Sequence, residues 1–237
     1  YNPDTAQLYE DLGLFTCNET LASDVTDIFN LLTGYAPSQT FEKLFVAPKH
    51  MRRQMTELIE FETKQAKAGK PSRIIAKMNS LEDPHIIQKL YEASQHGVKI
   101  DLIVRGVCRL IPGKTGLSEN IAVHSVIGRF LEHSRIYYFH NGGKHRYLIG
   151  SADWMHRNLD ARVEAIVPIE STQLKKYLQF VLNIYLKDNQ QRWTLNDDGS
   201  YVKVTREKGE AKVSTHKMLM RHMKDAAEPI PVEILEP

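Results

Sequence analysis

The chain has 237 residues, of which 42% are hydrophobic and 25% charged, the balance of an ordinary globular protein and not of a collagen-like or disordered one. Its formal charge of +2 is only mildly basic, so no domain-wide field calls for nucleic acid or an anionic membrane, and any basic site must be local.

In chain order, Leu8–Thr16 (LYEDLGLFT) reads as a strand with its neighbouring turn. A helix follows, with Asn18 and Ser23 as caps and Val25, Ile28, Phe29, Leu31 and Leu32 at helical spacing before Gly34. Residues 35–39 form a loop and a first candidate boundary. A longer helix spans Pro48–Ala68, basic at its start and stopped by Gly69-Lys70-Pro71. Strand Arg73–Met78, helix Pro84–His96 and strand Lys99–Arg105 then alternate, which predicts βαβ units and a parallel core. After a Gly- and Pro-rich loop, Ile121–Gly128, Ser134–His140 and His145–Gly150 read as strands. The last two are joined by Asn141-Gly142-Gly143, residues that tolerate the positive φ of a hairpin turn. Arg162–Ile169 is a further strand and Gln173–Leu186 an amphipathic helix. Asp197-Asp198-Gly199 marks a terminal hairpin, and the charged tail beyond Arg206 reads as a small, partly mobile extension.

Cys17 and Cys108 lie far apart, in no metal or redox spacing, and are expected as buried free thiols in a reducing compartment. No apolar run reaches membrane-spanning length and no signal peptide is visible. The chain starts at Tyr1, directly in an apolar pattern, as a segment of something longer would.

Chemistry concentrates in Glu132–Phe139 and Gly150–Asp153. His133 and Arg135, two apart on a strand, point to one face, with Ser134 to the other. A histidine beside a permanent cation suits a phosphoryl group: the imidazole attacks phosphorus or moves a proton, while the guanidinium clamps oxygens. The bland alternative is a surface histidine on an edge strand. Gly150-Ser151-Ala152-Asp153 follows a strand, where small residues let a phosphate approach backbone N–H groups and Ser151 adds a hydroxyl. Glu164 is placed to orient a histidine's second nitrogen.

This combination resembles the phospholipase D superfamily, whose half-sites pair His-x-Lys with Gly-Ser-x-Asn. It departs from that pattern where Arg135 replaces Lys and His140 stands near the Asp. A longer resemblance lies in IAKMNSLEDPHIIQKLYEASQHGVKIDLIVRGVC (Ile75–Cys108), VIGRFLEHSRIYYFHNGG (Val126–Gly143) and GSADWMHRNLDARVE (Gly150–Glu164). These are similar to the second catalytic domain of bacterial polyphosphate kinases, and YNPDTAQLYEDLGLFT to the end of their first. The resemblance implies a phospholipase D-like α/β fold: a mixed sheet flanked by helices, with a small C-terminal hairpin extension. The domains it implies are residues 1–40 closing a first catalytic domain, 41–206 as the second, and 207–237 as an extension.

It also implies reversible transfer of the ATP γ-phosphate to inorganic polyphosphate through a phosphohistidine upstream of Tyr1. Mg2+ would accompany ATP/ADP. Upstream domains of the same enzyme and a homo-oligomer are the implied partners, with no nucleic acid, in the cytoplasm or peripheral at the inner membrane. By the same resemblance Tyr9 lies at the adenine, Arg105 at the phosphates, and His133 is an assisting histidine close to the nucleotide. Independently, Arg105 ends a predicted parallel strand, where ligands of open α/β sheets gather, and can neutralise charge during phosphoryl transfer. Lys77 and Asn79, in AKMNS, are candidates to line a polyanion path, or simply solvent-facing polar positions.

Lys49, His50, Arg52 and Arg53 at a helix start offer an anion site, though such clusters are usually a solvated face. His124, His140, His145 and His156 crowd one region without metal-ligand spacing, so no metal site is assigned to the chain. Two other readings stay open: a phospholipase D-type phosphodiesterase or nuclease half-site, which needs a Lys partner for His133, and a non-catalytic phosphate-binding module.

Overall fold

The structure, a computed structural model, describes residues 2–34 and 40–224. The loop expected at 35–39 and the extreme C-terminus lie outside the described residues. A short helix α1 (Pro3–Ala6) leads into strand β1 (Tyr9–Glu10), then helix α2 (Glu19–Leu32), strand β2 (Phe45–Ala47) and helix α3 (Met51–Lys67). Strand β3 (Arg73–Met78), helix α4 (Pro84–Gln95) and strand β4 (Lys99–Val104) follow, then β5 (Ile121–Val126), β6 (Leu131–Glu132), β7 (Ile136–Phe139), β8 (Arg146–Gly150) and β9 (Glu164–Ile169). Helix α5 (Thr172–Lys187), strands β10 (Arg192–Leu195) and β11 (Tyr201–Lys203), and helix α6 (Thr215–Lys224) complete the chain.

Among the described residues nine strands form one sheet in the order β11-β10-β5-β4-β3-β7-β8-β9-β2. Within it only β3, β4 and β5 run parallel to one another; β7, β8, β9 and β2 on one side and β10 and β11 on the other are joined by antiparallel pairing. The expected parallel core is thus confined to three strands, and the sheet is mixed. The β7–β8 hairpin turns through Asn141, Gly142 and Gly143 at φ of 51°, 61° and 85°, the left-handed region those residues tolerate.

Buried side chains on one sheet face pack under α3 and α4, where Met51, Met55, Ile59, Ile86 and Leu90 meet Ile74, Ala76, Leu102 and Tyr137. The other face packs under α5 through Phe180, Val181, Ile184 and Tyr185. Local capping chemistry sets the helix starts: the Asn18 side chain accepts from the Leu21 N–H at 3.1 Å, and Asp83 from that of Ile86 at 2.9 Å ahead of Pro84.

Three expectations are corrected. Of Leu8–Thr16 only Tyr9 and Glu10 form a strand, because their partner is the two-residue β6. The tail, expected as a small extension beyond Arg206, is docked as far as Lys224: the Asp188 carboxylate accepts from the Thr215 N–H at 2.7 Å, and Thr215 and His216 are buried. Cys17 is exposed and Cys108 half-buried, both free, so the two thiols are not a buried pair.

Candidate active site at one end of the sheet

The mixed topology brings scattered residues to one end of the sheet. Asn79 and Arg105 directly follow β3 and β4, Ser151 follows β8, and Arg135 directly precedes β7, which runs the opposite way. The N-terminal stretch crosses this end. β1 pairs in parallel with β6 (Tyr9↔Leu131, Glu10↔Glu132), and the His133 N–H donates to the Glu10 carbonyl at 3.0 Å. Alternation along that stretch sends Tyr9 and Asp11 toward His133 and Glu10 inward.

His133 lies in the extended segment between β6 and β7, not in a strand as expected, yet it does share a face with Arg135. Its Nδ1 stands 2.7 Å from Asp11 Oδ2. A carboxylate only accepts, so Nδ1 carries a proton, and Nε2 is the nitrogen left toward Arg135. Arg135 Nη1 approaches that nitrogen at 3.2 Å and also donates to the His133 carbonyl at 2.6 Å. The Tyr9 ring meets the imidazole edge-on, with centroids 5.3 Å apart.

From Arg135 the network continues. Its Nε and Nη2 engage Asp153 at 3.2 and 3.3 Å, Asp153 Oδ1 accepts from the Asn79 N–H at 2.7 Å, and Asn79 Oδ1 accepts from Arg105 Nε at 3.0 Å. Tyr9, His133, Arg135, Asp153, Asn79 and Arg105 therefore form one chain of contacts. Burial grades along it: the Arg135 and Asp153 side chains are 11% and 7% exposed, whereas that of His133 is 32% exposed. The arginine is the fixed part and the imidazole the accessible one.

A cavity of about 430 Å³ opens beside His133, Arg135, Gly150 and Ser151, closed opposite by Leu12, Leu14 and the α2 residues Leu21, Val25 and Ile28. That is the size and character of a small-ligand site, mostly apolar with a few convergent polar groups. Tyr9 lines a neighbouring cavity of about 330 Å³, together with Phe130, Tyr177 and residues of α6.

Several sequence-based roles change. Lys77 does not line a polyanion path: it is 2% exposed in the middle of the sheet. Its Nζ meets Glu132 at 2.9 Å, Glu10 at 3.1 Å and the Ser134 hydroxyl and carbonyl at 2.8 and 3.1 Å. Burial works to lower its pKa, but the two facing carboxylates outweigh burial and raise it. Burial likewise works to raise Glu132, yet Lys77, His216 and Tyr185 bring it down to about 2. This buried cluster clamps Glu10 and Glu132, the residues immediately before Asp11 and His133. His216 reaches Glu132 from α6, so the C-terminal helix is tied to it.

Asn79 is also buried and links Arg105 to Asp153. The Arg135 fork is already held by Asp153. Glu164 does not orient a histidine; it accepts from Asn158 Nδ2, and Asp11 takes the role instead. Gly150 is dictated by packing, since a Cβ there would come within 2.4 Å of the Ala165 carbonyl oxygen. The Ser151 N–H is spent on that carbonyl at 3.0 Å, leaving its exposed hydroxyl at the cavity rim, where it accepts from the Ala165 N–H at 3.2 Å.

The basic start of α3 is not simply a solvated face. Arg52 forms a fork on Asp83 (2.6 and 2.7 Å) and also binds Asp160. That guanidinium occupies the Asp83, His156 and Asp160 group, whose atoms otherwise have metal-ligand proximity. His124 pairs with Thr194 and His140 with His145, so the histidines do not converge.

Comparison with known proteins decides the family. Residues 44–216 match the family model described as polyphosphate kinase C-terminal domain 2, and residues 1–38 that of polyphosphate kinase C-terminal domain 1. The chain belongs to the polyphosphate kinase family. It is 55% identical over 226 residues to the polyphosphate kinase of Thermosynechococcus vestitus, covering 95% of this chain and 31% of that protein. It is 58% identical over 202 residues to that of Synechocystis sp., covering 85% and 28%. The crystal structure of polyphosphate kinase from Porphyromonas gingivalis superposes with a TM-score of 0.90 at 38% identity, over 95% of this chain and 34% of that one. The chain thus spans about a third of the length of these relatives. Among the described residues no helix is long and apolar enough to cross a membrane.

Proposed function

We propose that this chain supplies the nucleotide-side wall of an ATP–polyphosphate phosphotransferase. The observation that carries the reading is the contact chain from Tyr9 through His133, Arg135, Asp153 and Asn79 to Arg105, at one end of the sheet of a polyphosphate kinase family member. It joins the three residues assigned to ATP or ADP, and a cavity of ligand size opens beside its histidine.

In this reading Tyr9 packs the adenine and Arg105 holds phosphate oxygens, neutralising the charge that spreads over them during transfer. His133, held by Asp11 with Nε2 toward Arg135, accepts a hydrogen bond or a proton near the transferring phosphoryl group. Ser151 adds a hydroxyl at the cavity rim, while Arg135, held by Asp153, contributes its positive charge beside His133. The nucleophile is a histidine upstream of Tyr1, which takes the γ-phosphoryl group as ADP leaves and passes it on as a phosphohistidine; it lies within the domain that residues 1–40 close, 41–206 form the second catalytic domain and 207–237 its extension. Mg2+ travels on the nucleotide phosphates, since Asp11, Asp153, Asp83 and Asp160 are each held by a cationic or imidazole partner. Polyphosphate, the upstream domains and a second copy of the enzyme are its partners, and the cytoplasm or the inner face of the membrane its place.

The test is a label experiment. After incubation with γ-labelled ATP, this chain alone is expected to retain no acid-labile, base-stable phosphate. Label on His133 would make that residue the nucleophile and overturn the assignment. One feature favours a phosphodiesterase instead: Asp11 takes Nδ1 of His133, leaving Nε2 as the nitrogen placed to attack phosphorus. Turnover of a simple phosphodiester without nucleotide, lost in His133→Ala, would establish that reading.

A further inference from the structure

The opposite end of the sheet carries another cavity, of about 520 Å³, where β8 begins and β9 ends. Arg146 opens β8 and Gly150 closes it, so roughly 13 Å of strand, at about 3.3 Å per residue, separates this cavity from the rim at Ser151. The gap exists because β2 pairs with β9 only over Glu164–Ile166, and Pro168 has no N–H to recruit a partner for the remainder.

The lining has unmet polar demand. The Arg146 guanidinium is half-buried, burial lowers its pKa, it makes no ion pair among the described residues, and it lies over the face of Phe45, 5.8 Å from the ring centroid. A desolvated cation without a counter-ion is costly and favours an anion. Gln54 Oε1, on α3, is buried and accepts no hydrogen bond among the described residues; it calls for a donor. Lys175 adds a second, half-buried ammonium, and Phe61, 37% exposed, offers an aromatic face. The acids of the wall, Glu42, Glu57 and Glu170, are exposed, with Glu170 paired to Lys43 and Glu57 facing Arg53.

We propose that this cavity is a second ligand site, for a small planar anion: an aromatic ring bearing a phosphate or carboxylate and an N–H donor. The anionic group pairs with Arg146 and Lys175, the ring lies on Phe61, and the N–H reaches Gln54 Oε1. The inference does not rest on the phosphotransfer reading, because none of these residues belongs to the other site.

The test is an NMR titration of the 237-residue chain with 4-aminophenyl phosphate, 4-aminobenzoate, inorganic phosphate and aniline. At least one of the two planar anions is expected to shift Arg146, Phe61 and Gln54 resonances while leaving His133 in place, and to bind roughly tenfold more tightly than inorganic phosphate or aniline. Arg146→Gln should weaken it about tenfold or more, whereas His133→Ala should leave it unchanged. Circular dichroism checks that Arg146→Gln is folded; Lys175→Met, at a less buried position, repeats the test if it is not. Unchanged affinity in the folded variant, shifts confined to His133 and Ser151, or no saturable binding by either planar anion would overturn the proposal.

Discussion

Replacing Lys77 by Met removes the one cation facing two carboxylates in a site closed to water. Its Nζ lies 2.9 Å from Glu132 and 3.1 Å from Glu10. Methionine fills most of the volume but leaves both acids without their counter-charge, and breaking a buried pair in this way costs about 3–5 kcal/mol. For a chain of this size that is a fall in Tm of roughly 6–20 °C.

The pH dependence carries the sharper signature. In the parent Glu132 is held down at about 2, below its unfolded value. Its contribution is therefore full above the unfolded pKa and lost as pH falls from about 4.5 toward 2, a change of order 3 kcal/mol at about 1.4 kcal/mol per unit. Without Lys77, burial dominates and the folded pKa of Glu132 rises above the unfolded value. The variant then gains stability as pH falls and the acid protonates. Urea unfolding of both proteins between pH 4 and 8 should show a stability gap that is widest at neutral pH and narrows toward pH 4. His216 and Glu10 face the same cluster, so the profile is read as a difference between the two proteins. A gap below about 1 kcal/mol at pH 7, or one independent of pH, would refute the buried-pair reasoning.

Other perturbations separate support from chemistry. In the full-length enzyme His133→Ala and Arg105→Ala should each lower polyphosphate synthesis by about 10²-fold or more, the scale of a lost proton-transfer or charge-stabilising group, with the melting temperature nearly unchanged. Asp11→Asn should exchange the proton between the two His133 nitrogens, visible in imidazole 15N shifts, and move the pH profile of synthesis; unaltered shifts would remove Asp11 from its orienting role. Gly150→Ala should destabilise the chain by about 1–3 kcal/mol, as an overpacked core position does, because the new Cβ meets the Ala165 carbonyl.

How far the sequence reveals this molecule depends on whether a feature is local. Strand Arg73–Met78 and helix Pro84–His96 follow from the alternation of strand-like and helix-like runs, and the structure keeps those bounds within a residue. The Asn141-Gly142-Gly143 turn follows from backbone freedom alone. The shared face of His133 and Arg135 was legible for a reason that proved incomplete. No strand holds them; the Glu10 carbonyl fixes the His133 backbone while Lys77 and Glu10 draw Ser134 inward. Lys77 misled because AKMNS alternates like a strand with one wet face, whereas β3 is central and covered on both sides. Its partners come from residues 10 and 132, and no local pattern announces such a pairing. The docking of α6 was hidden for the same reason, since Asp188 and Glu132 are distant in sequence. Asp11 had a local signal: it sits two residues after Tyr9 on an extended run.

The central claim is that Tyr9, Arg105 and His133 serve one nucleotide. A crystal structure of the full-length enzyme with a non-hydrolysable ATP analogue tests it most directly. The adenine is expected against Tyr9, and phosphate oxygens within hydrogen-bond distance of Arg105 and His133 Nε2. A nucleotide bound away from that contact chain, with His133 and Arg105 touching only protein, would contradict it.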